Sequence, residues 1–363
     1  MTQDVGAMVI TTLGPQNQTD DTTYHVSKES LSNNEILKIC LYIVIVVIGV
    51  TGNGLVIFVT SYKMKTTVNS IWFLNLAIAD LIFVLFLICS IVFYFQKLIW
   101  LFGDLMCKCF SFMISLNMLA SVFFLTVISV DRCLCTWFVV WAQNKRTLVK
   151  ARIISVFVWI LSICCSIPYP INRSVQEHNG LKLCVYNQSS DVLLSLFTYR
   201  FMVGFLIPFL IIVSSYIAIC VRVKRLNRGK QLRPYWVIIS VILAFFICCF
   251  PFHVQQLCHV SAVKYNWSDS VQKVIDSAGP FVNCLIYLNS CLNPILYVFM
   301  CDEYKKKLKK SLLLVFEGAF TEEHLGLRST PLPHNCQFQQ MYSQKTQQSD
   351  PLPAMETEQA NKL

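Results

Sequence analysis

Charge is scarce in this chain. Only 14% of its 363 residues are Asp, Glu, Lys or Arg, against 55% hydrophobic, and none lies between Lys108 and Asp131. A soluble protein of this length would have two or three domains under a charged surface. The composition excludes that class and indicates a polytopic membrane protein. Paired cysteines with zinc spacing are also absent from the loops. Most of the 17 Cys lie inside apolar runs, where a lone thiol is a small core residue. No nucleophile elbow, phosphate loop or metal-ligand set is found, which leaves an enzyme without support. Inverted repeats and interrupted helices of the transporter kind are missing too. Residues 1–37 lack a basic-then-apolar start, so the first apolar run is expected to act as a signal anchor.

What the chain does have is seven apolar runs, near 37–62, 70–95, 108–138, 149–170, 193–223, 235–260 and 271–300. About 20 apolar residues span a bilayer core as a helix, and backbone groups in lipid must be satisfied within the segment. The expectation is an all-α membrane protein: a seven-transmembrane helix bundle with an amphipathic eighth helix. Residues 1–36 form an outer arm, 37–300 the bundle, 301–315 a membrane-surface helix and 316–363 a disordered tail.

Basic residues choose the orientation. Lys63, Lys65, Lys145, Arg146, Lys150, Arg152, Arg222, Lys224, Arg225, Arg228, Lys230 and Arg233 fall on one side, and Lys305–Lys307, Lys309 and Lys310 follow the last run. The opposite loops hold Lys97, Arg173, Lys182 and Lys264. The basic side is cytoplasmic, so the N-terminus is outside. The glycosylation acceptors beginning at Asn17, Asn172, Asn187 and Asn266 all fall on the outer side. The net charge of +10 is read as sidedness and contact with anionic lipid, not nucleic-acid binding. Cys107, at the outer end of the third run, and Cys184, in the second outer loop, face an oxidising compartment and are expected to form a disulfide.

Polar residues inside the runs mark candidate sites. The third run carries Ser111, Ser115, Asn117, Ser121 and Thr126, suited to close packing and interhelical hydrogen bonds. At 1.5 Å per residue it places Cys107 and Arg132 about 37 Å apart, one at each membrane face. Asp80 is an ionisable group at membrane depth, either functional or a protonated, hydrogen-bonded core acid. Asn53, Asn117, Ser121, Asn289, Ser290 and Asn293 are available as partners. Arg200 is a cation in the outer half of the fifth run. It either faces a cavity or snorkels to the surface. Asp191 and Asp276 are acids near the outer helix ends.

Asn53, Asp80, Cys107, Asp131-Arg132-Cys133, Trp159, Pro208, Tyr216, Phe245, Pro251 and Asn293-Pro294-Ile295-Leu296-Tyr297 occur in the order of the rhodopsin-like G-protein-coupled receptors, which the chain resembles over roughly 38–314. Ser129-Val-Asp-Arg-Cys133, Val140-Trp-Ala-Gln-Asn-Lys-Arg-Thr147, Arg200-Phe-Met-Val-Gly-Phe205 and Asn289-Ser-Cys-Leu-Asn-Pro-Ile-Leu-Tyr-Val-Phe-Met300 are similar to the chemoattractant group. That group includes the formyl-peptide, chemerin and complement-anaphylatoxin receptors, and the wording is closest to the chemerin-receptor-like branch.

The resemblance implies a receptor at the plasma membrane for an extracellular peptide or small protein, signalling through a heterotrimeric G protein of the inhibitory class. Arrestin would bind after phosphorylation of tail hydroxyls. It implies that Asp131 restrains Arg132, that Tyr216, Pro251 and Tyr297 take part in activation, and that Asn293-Pro294 makes the seventh helix irregular. Asp80, Asn117, Ser121, Asn289 and Ser290 would form a sodium-and-water pocket, with an ion-free water network as the alternative. Arg200 would meet a ligand carboxylate, beside Ser115 and His253. Ser115 stands where the formyl-peptide receptors carry an acid. Cys249 replaces the usual Trp, so Phe250 or Phe252 is expected to take its place. An atypical scavenging receptor is the alternative function.

Overall fold

The computed structural model describes residues 33–96, 99–178, 181–225 and 233–300. Asn17, the 301–315 helix and the tail therefore lie outside the described residues, as does the side chain of Tyr297.

Helix α1 (Asn33–Phe58) runs into a π-helical turn, Val59–Lys63. Helix α2 (Val68–Phe95) starts at a reciprocal cap. Ser70 N–H donates to the Thr67 hydroxyl, and Thr67 N–H donates to the Ser70 hydroxyl. This satisfies two amides that have no partner within the helix. Helix α3 (Gly103–Trp137) is followed by a short α4 (Val139–Lys145). The fourth span is α5 (Leu148–Ser166) with the single turn α6 (Pro168–Ile171), and the fifth is α7 (Ser190–Phe201) and α8 (Ile207–Arg225) joined by a π-helical turn, Met202–Leu206. Helices α9 (Arg233–Lys264) and α10 (Asp269–Met300) complete the bundle.

Among the described residues, six stretches are long and apolar enough to cross a membrane. The seventh, α10, has 32 residues and reaches about 48 Å. It carries Asn283, Asn289, Ser290 and Asn293 as buried polar residues. Lipid-type apolar side chains stay exposed on the outside of the bundle, Val47, Leu85, Phe157, Ile217 and Ile247 among them.

The second outer loop is an antiparallel hairpin, β1 (Arg173–His178) with β2 (Leu181–Tyr186), in which His178 pairs with Leu181 and Asn179-Gly180 stands between them in the sequence. Asn-Gly between two strands is the strongest short hairpin signal. The irregular turn expected at Asn293-Pro294 is absent, for α10 is one α-helix throughout. The irregularity lies in the fifth span, where the Ile207 amide donates to the Met202 carbonyl, five residues back. Pro208 has no N–H and its ring crowds the preceding turn, so the wider turn relieves it. Within that turn Gly204 lets the fifth span approach α3. A Cβ there would stand 3.1 Å from Met118 Cε.

Candidate functional site

A cavity opens at the Cys107 end of the bundle. It is lined by Ser111, Ile114 and Ser115 of α3, Arg173 and Tyr186 of the hairpin, Arg200 of α7, Phe252 and Gln256 of α9, and Asn283, Ile286 and Tyr287 of α10. None of these lining residues is acidic. The hairpin reaches the cavity because it is tied to α3 twice. Cys107 and Cys184 form the expected disulfide, Cα to Cα 5.6 Å, and Val175 N–H donates to Asp104 Oδ1 at 2.9 Å. Trp100 N–H also donates to the Lys182 carbonyl at 2.8 Å.

Arg200 is 4% exposed and does not snorkel to the surface. Its guanidinium lies 4.0 Å from the Tyr169 ring centre, near Phe197 and Phe252, and Nη2 donates to Ser115 Oγ at 3.3 Å. Nε is buried without a hydrogen bond. Ring faces, the Ser115 hydroxyl and the neighbouring Tyr169 and Tyr186 phenols surround the cation, and among the described residues no carboxylate pairs with it. Asp191 and Asp276, the acids near the mouth, are engaged elsewhere: Asp191 accepts from Lys264 at 2.8 Å and Asp276 meets His259 at 3.1 Å.

Arg173 was legible only as an outer-loop base. It is buried, with its guanidinium 4.4 Å from the Tyr186 ring centre and Nη1 3.8 Å from Cys184 Sγ. Burial pushes the Tyr186 phenol up, but the nearby charges of Arg173 and Arg200 outweigh it and hold that phenol below the usual tyrosine range. Two cations therefore dominate the potential of the cavity.

His253 does not line the cavity. It is buried among Phe201, Phe205 and Phe252, with Nε2 lacking a hydrogen bond. Cys249 is 1% exposed in the apolar core beneath, beside Phe245 and Phe252. Of the two expected substitutes for Trp, Phe252 points inward and lines the cavity. Phe250 is 37% exposed and stacks on Phe246 at 5.0 Å, so it cannot replace an inward ring. Pro251 lies inside α9, one residue from both.

Deeper in the bundle, Asp80 is fully buried. Its Oδ1 accepts from Asn117 Nδ2 at 3.0 Å and from Ser121 Oγ at 3.3 Å, and Oδ2 accepts from Asn293 Nδ2 at 2.7 Å. Ser290 Oγ donates to Asn117 Oδ1 at 3.3 Å, and its carbonyl accepts from Asn53 Nδ2 at 3.0 Å. Asn53 Oδ1 is buried without a partner. Oxygens from Asp80, Asn117, Ser121 and Ser290 thus belong to one hydrogen-bonded cluster, the donor type a hard cation takes. Asn289 is buried but has no hydrogen bond in the cluster. Asn293, expected both as a possible Asp80 partner and as part of a helix irregularity, reaches the carboxylate from α10.

At the Asp131 end of α3 the expected partner is wrong. Asp131 is held not against Arg132 but by Arg146, whose Nε donates to Oδ1 at 2.8 Å and Nη2 to Oδ2 at 2.7 Å. The same Nη2 donates to Asn69 Oδ1 at 2.6 Å. A planar guanidinium can bridge a carboxylate this way, while neighbouring residues on one helix do not face each other. The hydrogen bonds to Asp131 hold the Arg146 guanidinium above its usual range, against partial burial. Arg132 keeps a buried Nε without a hydrogen bond, and Tyr216 meets Ser129 Oγ at 3.4 Å.

The family described as "7 transmembrane receptor (rhodopsin family)" matches residues 52–297. The chain is 38% identical over 304 residues to the C3a anaphylatoxin chemotactic receptor of Oncorhynchus mykiss, covering 81% of this chain and 82% of that one. It is 35% identical over 311 residues to Chemerin-like receptor 1 of Rattus norvegicus, covering 80% and 82% respectively. It is 36% identical over 292 residues to Chemerin-like receptor 2 of the same species, covering 79% and 82%.

Proposed function

The chain belongs to the rhodopsin family of seven-transmembrane receptors, and on that premise we propose that its outer cavity receives the carboxylate of an extracellular peptide or small protein. It is a multi-pass membrane receptor of the chemoattractant type, not an enzyme. The observation that carries the ligand reading is Arg200, a buried guanidinium with an unpartnered Nε in a cavity whose lining has no acid. A buried cation without a counter-charge is unfavourable, and a carboxylate would supply one in the geometry Arg prefers. Two relatives are named as receptors of the C3a anaphylatoxin and of the chemerin-like kind, which supports an extracellular chemoattractant ligand.

The receptor would sit in the plasma membrane with its N-terminus outside and couple to an inhibitory-class heterotrimeric G protein, with arrestin binding a phosphorylated tail. The oxygen cluster around Asp80 would hold sodium as an allosteric ion.

A peptide-library screen read by cyclic AMP and calcium identifies agonists for the decisive comparison. Arg200→Ala should weaken an acid-terminated agonist about a hundredfold, on the order of 3 kcal/mol. The same peptide amidated at its C-terminus should lose much less. Equal losses at normal surface expression would assign Arg200 to bundle packing alone. One observation favours a second reading, a scavenging receptor: a small thiol, Cys249, fills the core position beneath the cavity. Ligand uptake without agonist-stimulated GTP exchange in a reconstituted G protein would establish it.

A further inference from the structure

The wall of the cavity formed by α9 has a defined polarity. Gln256 lines it and is 1% exposed. The orientation of a Gln amide has to be settled by its neighbours, because its oxygen and nitrogen look alike in shape. Here the neighbours settle it. Gln255 Nε2 donates to the Ile275 main-chain carbonyl at 3.5 Å, and a carbonyl can only accept. The oxygen end of Gln255 is therefore the end offered to Gln256, whose Nε2 donates to it at 3.0 Å. Gln256 Oε1 is left over, buried and, among the described residues, without a hydrogen-bond partner. Gln255 is held from behind by α10 at Gly279, where a Cβ would come within 3.3 Å of Gln255 Nε2. The relay starts at a main-chain group and ends in one unpaired acceptor on a side chain of the cavity wall.

We propose that Gln256 Oε1 accepts a hydrogen bond from the amide N–H of the ligand's C-terminal residue, and so selects peptides whose last peptide bond carries a proton. The inference rests on the carboxylate reading of Arg200. The cavity offers guanidiniums for an anion, Ile286 and the Tyr186 ring for apolar surface, and an acceptor for a donor. A C-terminal amino-acid residue carries those three groups around one carbon. A peptide ending in proline has no such N–H, because the ring occupies that valence.

The test uses purified full-length receptor in lipid nanodiscs and three small probes at millimolar concentration. They are N-acetylphenylalanine, its N-methyl analogue and N-acetylphenylalaninamide. Binding to the folded state alone raises Tm in a dose-dependent way. N-acetylphenylalanine should bind about tenfold more tightly than the N-methyl acid, the worth of one well-made hydrogen bond in a buried site. The amide should bind more weakly than the parent acid. Gln256→Met, similar in length but without the acceptor, should erase the preference for N–H and keep the preference for acid over amide. Equal binding of the two acids to wild type, with a weak amide, would overturn the role of Gln256 and leave Arg200 standing. Equal binding of acid and amide would overturn the carboxylate reading and this one with it, as would no shift from any probe. A preference for N–H that persists in Gln256→Met would assign the acceptor to another group. The wild-type comparison decides the matter even where Gln256→Met folds poorly.

Discussion

At the scale of single residues, the membrane interior makes every polar group accountable, and Asp80 shows how. Three donors, from Asn117, Ser121 and Asn293, reach its two oxygens. If sodium binds this cluster, Asp80→Asn should abolish the effect of sodium on agonist affinity, measured by radioligand competition with sodium exchanged for a large organic cation. An unchanged sodium effect would leave the cluster as a purely structural network. All three donors were legible as candidates in the sequence, because polar residues stand out in an apolar run. Asn289 was not separable from Asn293. They lie four residues apart, one helical turn, on the same buried side of α10. Which one meets Asp80 depends on how far α10 slides along α2, and no local pattern records that offset. Arg173 was hidden for a related reason. A base in a loop looks solvated until the loop folds back and lays it on a tyrosine ring.

At the scale of elements, the grip of Arg146 on Asp131 and Asn69 joins the segment after α4 to the ends of α2 and α3. Arg146→Ala should leave the Asp131 carboxylate without its two-pronged partner, loosen the tie between α2 and α3, and lower ligand-free GTP exchange in a reconstituted G protein. Arg146→Lys should fall between, because an ammonium cannot make the two-pronged contact. In an Asp131→Asn background, Arg146→Ala should change little. A rise in basal exchange would show instead that the grip holds the resting state. Helix existence was readable from the seven apolar runs, and the hairpin could have been read from Asn179-Gly180. The Asp131 partner could not. It joins positions 15 residues apart through a turn whose path is set by packing.

At the scale of the whole molecule, the outer end is a tied assembly. The Cys107–Cys184 disulfide, the Asp104–Val175 hydrogen bond and the Trp100–Lys182 hydrogen bond fasten the hairpin to the bundle. That assembly refines the expectation of four glycosylation sites. Asn187 and Asn266 are exposed at this end. Asn172 donates its amide nitrogen, the atom a glycan would need, to the Pro168 carbonyl at 2.7 Å. Mass spectrometry after enzymatic deglycosylation in water enriched in the heavy oxygen isotope should find Asn187 and Asn266 labelled and Asn172 unlabelled. A labelled Asn172 would mean that the acceptor is modified before this end of the protein closes. The expected sidedness comes from the sequence, where basic residues and acceptors sort by loop. The identity of the shielded acceptor was not legible there, because all four share one three-residue pattern.

The π-helical turn at Met202–Leu206 has an angular consequence for the ligand site. In α8 the inward positions include Pro208, Ile212, Tyr216, Ile219 and Val223. Each helical residue turns the chain by about 100°. Counted back twelve residues from Ile212 along an unbroken helix, Arg200 would stand about 120° away from that inward line. The wide turn absorbs one residue without advancing the rotation, so the effective count is eleven and the offset falls to about 20°. Leu193, Leu196, Phe197 and Arg200 are the buried positions of α7. A proline that relieves its own crowding thus works as a rotary vernier: one surplus residue turns a guanidinium from the lipid side into the cavity.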